Sequence, residues 1–434
     1  MGTVTVYNGA EPAAAGQNAI HAASLGSRKR DNGLDGHTDM LRCPPLRYCE
    51  NGIVVPSFSS VEELRIADMR KKTHELTSIY PRDGTYTLAD IEQHVGSIIG
   101  LPSKNIVMFS TGMTALTTVV ETAAPANNSV ILHAYDEYPR TKSFLKGLAK
   151  RGVNSFEVDT LSMENLEAKI ERYRPGIIVL ETVANGPNVP VLDLNAFFSI
   201  KVLANLDPLI IFDNTLPTPT LIPPEVLMNG RSRIAVVESG TKFYSVNKEM
   251  SGIAYSLDEK LLWELREERI ARGGMASVSQ QERLKEAMIE NREEFDSRNR
   301  RIMRNALEIA LGCYEAQGDG SIFMVWHPNM ESHPHSAYAN LHFPNGSTPL
   351  FYIQASDSLK VTPKGKTQYE IAEALNAVPF IHENCELGHS FGLPKTRIFP
   401  DSMGPYVRIA AGAEDEKTAE KLRASFKEAM SSMR

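Results

Sequence analysis

Residues 176–215, GIIVLETVANGPNVPVLDLNAFFSIKVLANLDPLIIFDNT, hold two wholly apolar runs, GIIVL and PLIIF, on either side of a helical pattern over 193–205. Neither run alternates apolar with polar residues, so each suits a strand covered on both faces. Two such strands joined by a helix form the repeating unit of a parallel sheet. The same pattern extends in both directions. NIVMFS (105–110), SVILHA (129–134) and SFEVD (155–159) come before it, interleaved with helical patterns at 112–124, 139–151 and 162–173, and RIAVVES (233–239) and SGIAYSL (251–257) follow. The expectation is an α/β fold with a mostly parallel sheet wrapped by helices.

A helix-rich bridge runs from about 258 to 316, with charges of both signs that suit a solvated face. Beyond it SIFMVWH, ANLHFP, LFYIQAS and YVRIAAG read as short strands, with helices near 368–378 and 414–431, which together suggest a smaller α+β domain. Residues 1–57 show no sustained period and read as an arm, followed by helical spacing from Ser59 to about Ile79. The division is therefore an arm and helix over 1–79, a large domain over 80–290, and a bridging helix with a small C-terminal domain over 291–434.

A chain of 434 residues that is 42% hydrophobic can bury one large core and a smaller one. Its net charge of −7 argues against a nucleic-acid or anionic-membrane binder that works by overall attraction. Cys43, Cys49, Cys313 and Cys385 have no C-x-x-C pairing and no histidine spacing that suits zinc, which suggests a reducing, cytoplasmic compartment. No apolar run approaches the roughly 20 residues that span a bilayer. His327, His333, His335 and His342 lack metal-binding spacing and read as surface, so no metal site is expected.

In open α/β sheets ligands sit beyond the carboxyl ends of the strands. Here those ends carry Thr111-Gly112-Met113, Glu181 leading to Asn185, Asp213-Asn214-Thr215, and Ser239-Gly240-Thr241-Lys242. Thr111-Gly112-Met113 suits both a phosphate at a helix N-terminus and a tight strand-to-helix turn. Ser239 and Thr241 can add hydroxyls to the same phosphate, and Lys242 is either a Schiff-base amine or a surface lysine beside a turn. Asp213, closing an apolar run, needs a cation such as a protonated pyridine nitrogen, or else caps a helix. Tyr138 either stacks on a planar ring or packs at a domain edge.

Taken in order and spacing, these segments resemble the Cys/Met-metabolism family of pyridoxal-phosphate enzymes, the group of cystathionine γ-synthase, methionine γ-lyase and O-acetylhomoserine sulfhydrylase. The resemblance runs from about Tyr80 to the C-terminus. Tyr80 and Arg82 match the family's Y-x-R, Thr111-Gly112-Met113 its S-G-M, and Tyr138-Pro139-Arg140-Thr141 its Y-G-x-T. Residues 181–186 match E-[ST]-P-x-N-P, Asp213-Asn214-Thr215 match D-N-T, Ser239 to Lys242 match S-x-T-K, and residues 407–415 match V-R-[LI]-S-x-G-x-E-D.

The resemblance implies fold type I, with a seven-stranded-type sheet and a smaller C-terminal domain, and pyridoxal 5'-phosphate as cofactor. It implies a homodimer or homotetramer in which Tyr80 and Arg82 reach the neighbouring subunit's phosphate. Gly112, Met113, Thr215, Ser239 and Thr241 would help hold the cofactor, Asp213 would pair with the ring nitrogen, and Asn185 would bond the ring hydroxyl. Lys242 would hold the aldehyde as a Schiff base and later move protons, Tyr138 would stack on the ring and act on the leaving group, and Arg408 would grip the substrate α-carboxylate. The implied reaction is γ-elimination or γ-replacement on a homoserine- or methionine-type amino acid, through a vinylglycine-type intermediate.

Three segments depart from the family pattern. Val246-Asn247-Lys248-Glu249 stand where G-H-S-D is usual; Arg140 is a long cation where Gly or Cys is usual; and Glu386, before Leu387-Gly388, stands where the S-L-G segment has serine. Arg140 at the pocket suits an anionic group such as a phosphate, and Glu386 suits a positive group such as a sulfonium, or an additional base; both have solvated or shifted alternatives. These departures allow a specialised carbon–carbon bond-forming member of natural-product biosynthesis. It would use S-adenosylmethionine as four-carbon donor and a nucleotide or nicotinamide ring as acceptor. A catalytically silent relative acting as a binding subunit is the alternative from another class. Arg82, Arg140, Lys242 and Arg408 together predict a basic pocket on an acidic protein.

Overall fold

The computed structural model describes residues 46–48, 54–56, 84–123, 130–231, 233–317, 323–355, 367–401 and 404–433. Tyr80, Arg82, Cys43, Cys49 and the helix expected before Ile79 lie outside the described residues. Strands β1 (Leu46–Tyr48) and β2 (Val54–Pro56) pair antiparallel. Helix α1 (Tyr86–Ile99) starts at Thr85, whose hydroxyl accepts the Leu88 N–H at 3.0 Å.

The main sheet has seven strands: β3 (Ile106–Phe109), β4 (Val130–Ala134), β5 (Asn154–Val158), β6 (Ile177–Glu181), β7 (Leu209–Asp213), β8 (Ile234–Ser239) and β9 (Gly252–Ser256). Their order is β3-β9-β8-β7-β6-β4-β5, and only β9 runs against its neighbours. Connecting them are α2 (Gly112–Ala123), α3 (Pro139–Ala149), α4 (Met163–Tyr173), α5 (Leu194–Ser199), α6 (Lys201–Leu206), α7 (Thr218–Leu221), α8 (Pro224–Met228) and α9 (Gly240–Phe243). The unbroken apolar runs have a direct cause. Ile178, Leu180, Ile210, Phe212 and Val236 enter one apolar cluster, while Ile177, Val179, Ile211, Ala235 and Val237 enter another. Alternate side chains thus leave opposite faces, and helices cover both.

Helices α10 (Glu259–Ala271), α11 (Val278–Ala287) and α12 (Arg292–Glu315) lead to a second sheet. Its strands are β10 (Phe323–Trp326), β11 (Leu350–Ala355), β12 (Glu386–Leu387), β13 (Arg397–Pro400) and β14 (Tyr406–Ala410), ordered β10-β11-β14-β13-β12. Helices α13 (Ser336–His342), α14 (Thr367–Asn376), α15 (Pro379–Asn384) and α16 (Glu416–Ser432) complete this part.

Three local expectations change. ANLHFP lies largely in α13 and is not a strand. The helical pattern over 193–205 is cut at Ile200, which is buried with ψ 110° and so ends α5 and starts α6. His327 and His333 are buried, not surface residues, because their loop docks on the large sheet's connections: the His333 ring donates to Asn188 O at 2.7 Å, and His335 accepts the Val191 N–H at 3.0 Å. Among the described residues no cluster suits a metal, and no helix is long and apolar enough to cross a membrane.

Candidate active site

Parallel register brings the chemistry together. Glu181 lies opposite Asp213 across β6 and β7, Asp213 lies opposite Val237 across β7 and β8, and Ser239 closes β8 three residues before Lys242. These strand ends, the start of α2 and the second sheet enclose a cavity of about 360 Å³. Gly112, Met113, Tyr138, Asn185 and Asp213 line it, as do Thr215, Ser239, Thr241, Lys242 and Arg408.

The Thr215 N–H and hydroxyl both donate to Asp213 Oδ1, at 3.0 and 2.5 Å, and Thr215 Oγ1 in turn accepts the Ser239 N–H at 2.9 Å. Among the described residues no hydrogen bond reaches Asp213 Oδ2, which is available to a cationic N–H. Burial raises the Asp213 pKa even though the Thr215 bonds oppose it. Glu181 accepts the N–H of Tyr138 at 2.5 Å and of Asn185 at 2.6 Å, fixing both candidate ring contacts with one carboxyl group. Burial first, and then the neighbouring Asp213, push Glu181 well above the usual carboxylate range. Two buried acids side by side cannot both ionise cheaply without a cation.

Lys242 sits in α9, and its Nζ donates to Ser390 Oγ at 2.7 Å and lies 5.2 Å from the Phe391 ring. Burial, then Arg408 and Arg397, lower its pKa to about 8. That leaves about a tenth of the amine neutral at pH 7, far more than for an ordinary lysine, and a nucleophile or base needs the neutral form. Arg408 lies on β14 between Tyr352 of β11 and Phe399 of β13; its guanidinium is 5.5 Å from the Phe399 ring, and Nε is buried without a partner among the described residues. Tyr352 donates to Asn185 O at 3.4 Å, joining the two sheets at the cavity.

Gly112 is needed for close packing: a Cβ there would lie 3.0 Å from the Ser239 Cβ, closing the space between the N-terminus of α2 and the end of β8. Thr241 uses its hydroxyl otherwise than expected, accepting the Ser251 N–H at 3.0 Å and donating to Ser251 O at 3.3 Å.

Two expected substrate contacts stand apart from the lining. Arg140 is exposed on α3. Glu386 is exposed and accepts from Arg397 Nη2 at 2.7 Å, while Arg397 Nη1 donates to His389 O at 2.6 Å. From this segment the cavity is lined by His389, Ser390 and Phe391 instead, and Gly392 packs against the Lys242 backbone. Ser390 therefore supplies a serine hydroxyl at Lys242 four positions beyond Glu386. Gly392 has φ +75°, and a Cβ there would lie 2.4 Å from Lys242 O, so only glycine fits.

Also missed was Glu238, a buried acid on the lining that accepts from Asn214 at 3.1 Å and from Tyr244 and Tyr255 at 2.7 Å each. Burial pushes it up to about 7. Its signal was a charge inside RIAVVES. Glu181, Asp213 and Glu238 share the lining with Lys242 and Arg408, so the pocket is built from acids as well as bases.

The donor set suits a planar, anionic, cation-bearing group. There is a helix N-terminus, a half-exposed tyrosine ring, a buried Asn185 Oδ1 without a partner among the described residues, and a carboxylate with one open oxygen. Comparison with known proteins agrees. Residues 53–431 match the family model for Cys/Met metabolism PLP-dependent enzymes. Cystathionine beta-lyase of Neurospora crassa is 29% identical over 184 residues, which are 42% of this chain and 38% of that relative, so the match spans well under half of its length. The structure of metB from Corynebacterium glutamicum superposes with a TM-score of 0.68 at 20% identity, covering 92% of this chain and 98% of that one. A putative O-acetylhomoserine (thiol)-lyase of Campylobacter jejuni, solved with a pyridoxyl-lysine monophosphate, gives a TM-score of 0.65 at 17% identity, covering 90% and 98%. At such identities the structural likeness speaks for the fold alone. With the family match covering most of its length, the chain belongs to the Cys/Met metabolism PLP-dependent enzyme family, a fold-type-I family whose cofactor is pyridoxal phosphate.

Proposed function

We propose that this enzyme eliminates or replaces the γ-substituent of a homoserine- or methionine-type amino acid. The observation that carries it is the meeting, in one cavity, of a lysine amine with a lowered pKa, Lys242, and a planar fork suited to a carboxylate, Arg408. Bound pyridoxal phosphate supplies the electron sink. Asp213 Oδ2 would pair with its ring nitrogen, Asn185 with its ring hydroxyl, Tyr138 with its face, and Gly112, Met113 and Ser239 with its phosphate. Arg408 would hold the substrate α-carboxylate, which points the α- and β-carbons at Lys242. Lys242, alternating between amine and ammonium, would move protons at both carbons, as departure of a γ-group requires.

The wider reading includes a cytoplasmic homodimer or homotetramer, with Tyr80 and Arg82 completing the neighbour's phosphate site. It also includes the division into an arm (1–79), a large domain (80–290) and a small one (291–434). A second reading, β-elimination, is favoured by the names of the curated relatives, which are cystathionine beta-lyases. The reading with S-adenosylmethionine as donor and a phosphate-bearing acceptor drew on Arg140, whose exposed position lends it no support. Keto-acid analysis distinguishes them. Cystathionine cleaved at the γ-carbon gives cysteine, 2-oxobutyrate and ammonia, whereas β-cleavage gives homocysteine, pyruvate and ammonia. O-acylhomoserines and S-adenosylmethionine complete the panel. Pyruvate as the sole keto acid would overturn the γ reading, and methylthioadenosine release without acylhomoserine turnover would favour the specialised one.

A further inference from the structure

We infer that Asn247 is a positioning residue for Lys242, acting through Ser390 to fix the direction of the hydrogen bond between them. The inference rests on the proposed role of Lys242 as the amine that holds the cofactor. Asn247 is tied to both sides of the site. Its backbone N–H donates to Thr241 O at 2.7 Å, on the short helix that carries Lys242. Its side chain crosses to the second part of the molecule, where Nδ2 donates to Phe391 O at 2.9 Å and Oδ1 accepts from Ser390 Oγ at 2.7 Å. A serine hydroxyl has one proton to give. With that proton on Asn247, Ser390 Oγ meets Lys242 only as an acceptor, and Lys242 Nζ donates to it at 2.7 Å.

A neutral amine held by one of its N–H groups keeps its lone pair free of Ser390. Without the Asn247 acceptor, the Ser390 hydroxyl can turn and donate to that lone pair, which is the electron pair needed to attack an aldehyde carbon or take a proton from carbon.

The backbone supports the same conclusion. φ is +59° at Asn247, +52° at Val246 and +86° at Ser390, so the two segments meet through left-handed residues on both sides. Asparagine accepts that region more readily than most side chains. The position also lies in the stretch Val246–Glu249, where this chain departs from G-H-S-D. The charged and titratable groups around Lys242 are Arg408 on β14, Arg397 on β13, the cavity acids Asp213 on β7, Glu181 on β6 and Glu238 on β8, and His389 and Tyr138 on the cavity lining. Asn247 adds orientation without adding charge.

Full-length protein freed of cofactor and mixed with pyridoxal phosphate reports on the amine through the absorbance change on attachment, a step that joins nitrogen to the aldehyde carbon and releases one water. Asn247→Gly removes the side chain and suits the left-handed backbone. Attachment is expected to slow about tenfold, as for loss of one oriented hydrogen bond, and its pH midpoint to fall because Ser390 then stabilises the neutral amine. Asn247→Asp keeps the acceptor; it should recover most of the rate and raise the midpoint, because its carboxylate favours the ammonium. A merely loosened chain would bind less cofactor without moving the two midpoints in opposite directions.

Wild-type rate in Asn247→Gly, an unmoved midpoint in that variant, or an Asn247→Asp as slow as Asn247→Gly would each overturn the inference. If the glycine chain does not fold, an Asn247→Asp midpoint at or below wild type overturns it. Borohydride reduction of the wild-type protein, followed by peptide mass analysis, tests the underlying reading on its own: a label absent from Lys242 defeats that reading before any variant is made.

Discussion

The carboxyl ends of β6, β7 and β8 and the segment 389–392 both lie at the Lys242 site, but they are held by different means. Glu181, Asp213 and Ser239 are set by sheet register, so their separation follows from strand pairing alone. Ser390 and Gly392 are set by left-handed backbone and by side-chain bonds to residues more than 140 positions away in sequence. A motif on a strand end keeps its place because moving it by one residue turns the whole strand over. A loop held by left-handed residues and side-chain bonds has no such register, and the place of its serine depends on the individual contacts with Lys242 and Asn247.

Loss of the amine should give the largest effect on the strand-end side. Lys242→Ala is expected to lower turnover by about 10²–10⁴-fold and to abolish borohydride-fixable cofactor. Residual fixation would show that another amine serves, and would break the assignment of chemistry to the strand ends. On the opposite wall, Arg408→Lys keeps the charge but loses the planar fork. KM for the amino acid should rise roughly 10- to 100-fold with a smaller change in kcat, the scale of charge-assisted hydrogen bonds. Equal loss in kcat would mean that Arg408 acts in the chemical step.

Much of the first region was legible because its apolar runs end in polar segments: Asp213 closes PLIIF, and a charge there needs a reason, while Asn185 and Lys242 follow strand ends and took their roles from the family resemblance. Glu181 was visible at its strand end, but not its double bond to the Tyr138 and Asn185 amides, which needs the loop geometry. Glu238 was hidden inside a strand, where three donors from distant positions satisfy it. In the second region, short strands β12 and β13 carry little periodicity, so nothing local showed that Ser390 faces Lys242 while Glu386 is exposed. The 327–335 histidines were read as surface because burial there comes from docking on residues 188–191, a long-range contact with no local signal.

That docking predicts a moderate effect of opposite sign to the acids. Burial lowers the His333 pKa from an ordinary 6.5 to about 4. The unfolded chain therefore takes up a proton that the folded one refuses. The contribution is fully present above pH 6.5 and is lost as pH falls toward 4, with a slope of about 1.4 kcal/mol per pH unit for one proton. Glu238 behaves in reverse: held near 7, its contribution is present below pH 4.5 and lost as pH rises through 7. Thermal melts of cofactor-free His333→Gln should lose one proton's worth of slope between pH 4 and 6.5, exposing the decline with pH that the buried acids produce. An unchanged slope would mean that His333 is charged in the fold and that the interface is wetter than its burial implies.

The smallest expected effect concerns Arg140, and it tests where the substrate site ends. The arginine is exposed at the second position of α3, two residues from Tyr138, whose ring lines the cavity. Successive positions on a helix point about 100° apart, so a neighbour in sequence need not share a face. Arg140→Ala should leave kcat and KM for the amino acid within about twofold, as exposed charges away from a partner usually do. A larger rise in KM confined to a phosphate-bearing acceptor would place a second substrate over the rim of the cavity at α3. Strand ends would then no longer be the whole of the site, and the cation that departs from the family pattern would be the residue that chooses the acceptor.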